Sequence, residues 1–188
     1  IYAQGPILFG EGSETQIGDQ VFVEAIQEAA KSKRVKAIVL RVNSPGGSAM
    51  ISDILWNALE DAKKKKPLVV SMGNVAASGG YYIACNADKI MVQPNTITGS
   101  IGVFSIVPDF SSFMNNKLGI SFDRVKTGEY ADMPSVTRPL SDNEKQFIQA
   151  QVDQIYLDFK TRVAEGRKKD INYIDSIAQG RVWTGKRA

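Results

Sequence analysis

The sequence predicts an α/β fold built from repeated strand–turn–helix units, and three observations carry that expectation. Ala37–Val42 and Leu68–Met72 are short and rich in β-branched and aliphatic residues, as buried strands are. Between them apolar residues return at helical spacing, at Ile51, Ile54, Leu55, Ala58, Leu59 and Ala62. Turns of small residues, Asn43–Gly47 and Ala76–Gly80, separate strand from helix. Repetition of that order implies a largely parallel sheet with connections over its faces.

The elements follow in order. Ile1–Gln4 reads as a strand, followed by a Gly-rich polar loop. Phe22, Ala25, Ile26, Ala29 and Ala30 mark a first helix with Asp19 as its cap. The strand at 37–42 leads through its turn to a helix from about Ser48, which Lys63–Lys66 end and Pro67 stops. After the strand at 68–72 and its turn, a short helix runs through Tyr81 to Cys85. Lys89–Val92 reads as a strand, Phe110–Leu118 as a helix and Ser121–Lys126, by alternation, as another strand. Gly128–Pro139 reads as a loop. Ser141 and Glu144 have capping-box spacing and open the longest helix, to about Glu165, with Ile148, Val152, Ile155, Phe159 and Val163 as its buried stripe. No stretch resembles a linker, so the 188 residues read as one domain, 1–188. The chain opens on Ile1 and closes on Thr184-Gly185-Lys186-Arg187-Ala188 in mid-pattern, which reads as an excised piece of a longer chain.

Composition narrows the chemistry. Hydrophobic residues at 43% and charged residues at 23% describe an ordinary globular chain, and a net charge of +3 is too mild to announce nucleic acid. No segment reaches the roughly 20 apolar residues that span a bilayer. There is no histidine and a single cysteine, Cys85. That excludes a complete Ser-His-Asp or Cys-His set, an internal disulfide and the usual His-bearing zinc sites, and no metal or cofactor is expected. Any catalysis must come from Ser, Thr, Lys, Tyr, carboxylates or backbone dipoles.

The two small-residue turns are the candidate site, because helix N-termini present free N–H groups to an anion. Gly and Ala there are also what tight turns and close packing call for. In the functional reading Ser78 is a nucleophile at a strained helix start. The N–H of Gly79, with one from Gly46-Gly47, forms an oxyanion hole.

Asn43-Ser44-Pro45-Gly46-Gly47-Ser48, Met72-Gly73-Asn74-Val75-Ala76-Ala77-Ser78-Gly79-Gly80-Tyr81-Tyr82 and Ile97-Thr98-Gly99-Ser100-Ile101-Gly102 together resemble the signal peptide peptidase A family, also called protease IV. The resemblance extends to the ending Ala178-Gln179-Gly180-Arg181-Val182-Trp183-Thr184-Gly185. It implies a Clp protease/crotonase-like fold and a membrane-bound serine peptidase with a Ser-Lys dyad, acting on remnant signal peptides at the extracytoplasmic side of a bacterial membrane. Ser78 matches the nucleophile, Gly47 and Gly79 the oxyanion donors, and Ser100 a serine that orients the lysine. Such a lysine works as a base when burial and nearby cations lower its pKa from about 10.4 toward neutrality. Short-form members carry it just after the stretch that here reads Lys126-Thr127-Gly128, and the matching position holds Ala131.

Long-form members are tandem duplications whose N-terminal half supplies the lysine. The resemblance therefore implies a C-terminal half whose partners are the N-terminal half of the same protein, peptide substrates and further copies in a homo-tetramer. Membrane attachment would lie outside this chain. Lys126 is the local rival base, with a solvent-facing strand end as its plainer reading, and Lys89 is similar. Lys63–Lys66 reads as a solvated helix end. Glu129 and Asp132 read as solvated loop carboxylates, Cys85 as a packed apolar side chain, and Trp56 and Trp183 as core or interface residues. Ser105, Ser111 and Ser112 lack flanking turn chemistry. Two other function classes fit more loosely: a crotonase-like acyl-CoA enzyme using the same turns on a thioester carbonyl, and a non-catalytic assembly module, for which Ala131 speaks and Ser78 does not.

Overall fold

A computed structural model describes residues 1–188, which divide into two compact units, 1–103 with 155–188, and 104–154. The first unit is organised on a sheet in the order β1 (Tyr2–Gln4), β5 (Ile38–Ser44), β6 (Leu68–Ala77), β8 (Ile97–Gly99) and β9 (Val182–Thr184), with β7 (Lys89–Met91) pairing the early part of β6. All pairings are parallel except β8 with β9. A second small sheet, β2 (Ile7–Leu8), β4 (Gln16–Gly18) and β3 (Gly12–Ser13), occupies the Gly-rich segment read from sequence as loop.

One face of the main sheet makes the core. Ile38, Leu40 and Val42 alternate inward on β5 and Leu68, Val70 and Met72 on β6. They pack with Ile26 and Ala30 of α1 (Asp19–Lys31) and Ile51, Leu55 and Leu59 of α2 (Ala49–Lys63). The period of 2 on the strands and of 3.6 on the helices put these residues on facing surfaces. Val39 and Arg41 alternate outward and are exposed. A second cluster gathers Trp56, Tyr82, Cys85, Ile101, Phe159, Val163, Ile174 and Ala178, the last two from and just after α6 (Ile171–Ile177).

Several sequence expectations need revision. Asp19 does not cap α1. Gly18 occupies that position, and the Asp19 carboxylate instead accepts the N–H of Gly10 at 2.8 Å. On α2, Ser48 is the cap, accepting from Ile51 N–H; of the expected face Ile54 is exposed, and Trp56 takes a buried place. Ser121–Lys126 forms no strand: the alternation is present, yet no partner pairs with it and all six residues are exposed. A strand exists only by its ladder, so alternation without a neighbour yields irregular chain.

The second unit holds α4 (Ser111–Phe113), the π-helical turn Met114–Leu118 and the first part of α5 (Asp142–Arg167). The capping box is present: Ser141 Oγ accepts from Glu144 N–H, and Glu144 Oε2 accepts from Ser141 N–H at 2.7 Å. Of the expected α5 stripe, Phe159 and Val163 are buried, whereas Ile148, Val152 and Ile155 are half-buried. Asp132 is not a solvated loop carboxylate. Arg138 bridges it to Glu144, with Nη2 to Asp132 Oδ1 at 2.8 Å and Nη1 to Glu144 Oε2 at 2.7 Å. Hydrogen bonds from Arg138 hold both carboxyls far below their ordinary values, Glu144 at about 2.

Candidate active site

β6 ends at Ala77, and Ser78 turns the chain directly into α3 (Gly79–Tyr82). Ser78 takes φ 52°, a left-handed value that L-residues other than Asn and Asp rarely adopt. The strain is held by hydrogen bonds on both sides. Ser78 N–H donates to the Gly99 carbonyl at 3.0 Å, and its own carbonyl accepts the N–H of Tyr81 and of Tyr82, each at 2.9 Å. The Ser78 side chain is partly exposed and makes no capping hydrogen bond to the helix it starts. A hydroxyl left free at a strained strand-to-helix turn is the arrangement a nucleophile needs.

The first turn comes to the same place. β5 and β6 stay in register to Val42–Met72, then shift, and the gap is filled by Asn43. Its Oδ1 accepts the N–H of Asn74 at 3.1 Å and of Val75 at 3.2 Å, replacing two ladder bonds. Ser44, fully buried, accepts the Gly46 N–H on its Oγ at 3.1 Å. Ile7 of β2 grips the turn from the other side: its N–H donates to Gly46 O at 2.9 Å and its carbonyl accepts from Ser48 N–H at 2.8 Å. The glycines are then required. A Cβ on Gly46, at φ 101°, would stand 2.6 Å from Gly79 N and 2.8 Å from Ser78 Cβ. A Cβ on Gly79 would stand 3.2 Å from Gly47 N. The Gly46-Gly47 backbone therefore lies directly against the Gly79 backbone and the Ser78 Cβ.

Ser100 also takes a left-handed φ, 50°, at the end of β8, whose last residue, Gly99, receives the Ser78 N–H. Ser100 is partly exposed and donates its own N–H to Arg181 O at 2.8 Å. The four sequence-predicted site residues thus meet: Ser78 and Gly79 abut Gly46 and Gly47 on one side and Gly99-Ser100 on the other. Sequence reading did not pick out Ile7 or Asn43 as parts of this arrangement. Asn43 stood in the quoted motif, but its side chain matters only because two strands part beside it.

No base sits among the groups that follow Ser78 on its helix. Burial pushes the Tyr81 hydroxyl up to about 12, raises Tyr82 further, and pushes the Cys85 thiol up to about 12. All three are neutral at physiological pH, and Cys85 is fully buried, the inert packed thiol expected of it. Lys63 is not simply solvated, since its Nζ donates to Asn86 O at 2.7 Å. In the other unit Ala131 occupies an exposed turn, and the neighbouring Lys126 is engaged, donating to Glu129 O at 3.1 Å and lying 3.7 Å from Asp132.

Comparison with known proteins agrees with the fold. A ClpP1 mutant from Listeria monocytogenes superposes with a TM-score of 0.56 over 97% of this chain and 79% of its own, at 12% identity. The α/β architecture is thus the Clp protease-like one. In sequence, "Protease 4" from Salmonella typhi is 42% identical over all of this chain, and "Protease 4" from Haemophilus influenzae 40%. "Serine protease SPPA, chloroplastic" from Arabidopsis thaliana is 36% identical over 88% of the chain. The chain spans 30% of the length of the two bacterial relatives and 24% of the plant one. The profile of Peptidase family S49 matches residues 60–188, which include Ser78, Gly79 and Ser100. On that match, and on whole-chain identity to two proteins named Protease 4, this chain belongs to peptidase family S49.

Proposed function

We propose that this chain is the serine-bearing C-terminal half of a Ser-Lys endopeptidase that degrades remnant signal peptides and other membrane-derived peptides. The observation that carries the reading is the convergence of a strained, uncapped Ser78 with the Gly46-Gly47 backbone beside Gly79. In the proposed reaction Ser78 Oγ attacks the scissile carbonyl and passes its proton to a neutral lysine amine. The N–H groups of Gly47 and Gly79 hold the oxyanion, and the protonated lysine then delivers the proton to the leaving amine. Water repeats the sequence on the acyl-enzyme. Ser100, one residue beyond the carbonyl that anchors Ser78, orients the lysine. No cofactor takes part.

The lysine comes from another half of the protein or another subunit, because position 131 holds Ala and Lys126 is tied to Glu129 and Asp132. Relatives more than three times as long supply room for such a half. Assembly into a homo-tetramer is part of the proposal. It is supported by the large apolar side chains that unit 104–154 leaves exposed, among them Phe104, Ile106 and Val125. The proposal assigns membrane attachment to segments outside this chain and has the catalytic face work on the extracytoplasmic side; no helix here is long and apolar enough to cross a membrane.

The test is cleavage of a fluorogenic signal-peptide fragment by this chain alone, by the full-length protein and by its Ser78→Ala variant. The expected result is activity in the full-length protein, lost in the variant and absent from the isolated chain by about 10²–10⁴-fold or more. A full-length Ser78→Ala protein that still cleaves overturns the assignment.

A further inference from the structure

The two turns that meet at Ser78 each start a helix, and those helices are joined again one turn further on by side chains that the proposed reaction does not use. α2 begins immediately after Gly46-Gly47-Ser48, and α3 immediately after Ser78. Tyr82, one helical turn beyond Ser78, is 4% exposed, and its ring packs on Phe159 with centroids 4.6 Å apart. Its hydroxyl donates to Asp53 Oδ1, on α2, at 2.8 Å. The same oxygen accepts from Arg162 Nε at 3.3 Å, and the Arg162 guanidinium lies 4.1 Å from the ring centroid of Trp56, also on α2. The Asp53 carboxylate is thus charge-balanced, held from behind and aimed at Tyr82.

From this we infer that Asp53 and Tyr82 are positioning residues, a strut between α2 and α3 that sets the separation of the Gly47 and Gly79 N–H groups around Ser78. The inference rests on the proposed role of Ser78. Nearer the site the first residues of α3 already lie against their neighbours: a Cβ on Gly79 would stand 2.5 Å from Ser52 Oγ of α2, and one on Gly80 2.6 Å from the carbonyl of Ser44 at the end of β5. These contacts are all gathered at the start of α3, at Ser78–Gly80, and leave its far end to pivot about them. α3 is only four residues long, too short to be rigid by its own hydrogen bonds, and Ser78 sits at its end in a strained conformation. The Tyr82–Asp53 bond supplies a second fixed point, about one helical turn from the first, and removes the pivot. Oxyanion stabilisation depends on donor geometry far more steeply than substrate binding does, so loss of the strut acts on the chemical step.

The experiment uses the full-length protein with Tyr82→Phe, Asp53→Asn, Asp53→Ala and Ser78→Ala variants, measuring kcat and KM on a peptide substrate together with thermal midpoints. Tyr82→Phe keeps the ring on Phe159 and removes only the donor. The expected result is a fall in kcat of about tenfold or more with KM within about twofold, since one lost donor misaligns groups acting in the transition state. Asp53→Ala matches it, the Tyr82→Phe/Asp53→Ala double variant is no worse than Asp53→Ala, and Asp53→Asn, whose amide oxygen still accepts, regains most of the activity. Wild-type kcat in Tyr82→Phe overturns the inference while leaving the role of Ser78 intact, provided Ser78→Ala is inactive. A fall in kcat that merely follows loss of folded protein at the assay temperature, or an Asp53→Asn variant as poor as Asp53→Ala, also overturns it. Activity in Ser78→Ala overturns both the inference and the reading beneath it.

Discussion

Ser78 gives its backbone N–H to the carbonyl of Gly99 at 3.0 Å, which ties the strained turn after β6 to the end of β8 and to Ser100 beside it. Both serines have left-handed φ, 52° and 50°, and each donates its N–H to a neighbouring strand or turn. Strain of this kind costs about 1–3 kcal/mol per residue and persists only where the surroundings over-determine it. Here the surroundings are glycines that let backbones touch, and the consequences can be measured.

Gly46→Ala is the most direct. The new methyl would stand 2.6 Å from Gly79 N and 2.8 Å from Ser78 Cβ, at a φ of 101° that alanine resists. Turnover by the full-length protein is expected to fall by about 10²-fold, because Ser78 and Gly79 must move away from position 46 to admit the methyl. The measurement is kcat against the thermal midpoint; unchanged kcat in a folded variant would show that the two turns do not act together.

For Gly47→Val, turnover is expected to fall by roughly two to three orders of magnitude, as when an oxyanion donor is lost. The structure adds a second cause. A Cβ there would stand 2.0 Å from the Ile7 carbonyl, so the bridge from β2 to the turn must open as well. The melting temperature should therefore drop together with kcat, and a loss of kcat at full stability would assign the effect to the donor alone.

Lys126→Ala separates the two candidate sources of a base. Lys126 Nζ donates to Glu129 O and lies near Asp132, an exposed pairing of small energetic weight. Turnover by the full-length protein is expected to stay within about twofold of wild type. Abolished turnover with unchanged melting would make Lys126 the base and remove the need for a lysine from elsewhere.

Acid should loosen unit 104–154. Hydrogen bonds from Arg138 lower the Glu144 carboxyl from 4.5 to about 2, and Asp132 is lowered as well. A group with a depressed folded pKa contributes stability that is fully present above its unfolded pKa and is lost as pH falls through the folded one. For Glu144 that window runs from about 4.5 down to about 2. Local protection from amide exchange in residues 132–146 is expected to decline across it. A Glu144→Gln variant, which cannot titrate there, should start less protected and change less with pH; equal pH slopes would exclude Glu144 as the titrating group.

Much of this was legible in the chain. Periodicity located α1, α2, α5 and the central strands, the Ser141–Glu144 box was readable as a cap, and two small-residue turns marked the candidate site. These are local properties, set by side-chain spacing and by which residues tolerate a given φ, so neighbours in sequence suffice to reveal them. The absence of histidine likewise leaves no Ser-His pair within this chain.

Other features had no local signal. Ser121–Lys126 alternates like a strand but finds no ladder partner, whereas the two- and three-residue strands β2, β8 and β9 look like loop and exist because a partner is present. Ile7 grips Gly46 and Ser48 from about 40 positions earlier, Asn43 repairs a gap between strands, and Asp132 finds Arg138 and Glu144. Tyr82 meets Asp53 across 29 residues. Spacing along the chain determines which face a residue presents. Which partner stands opposite that face is decided by the packing of distant elements, and only the tertiary structure holds that information.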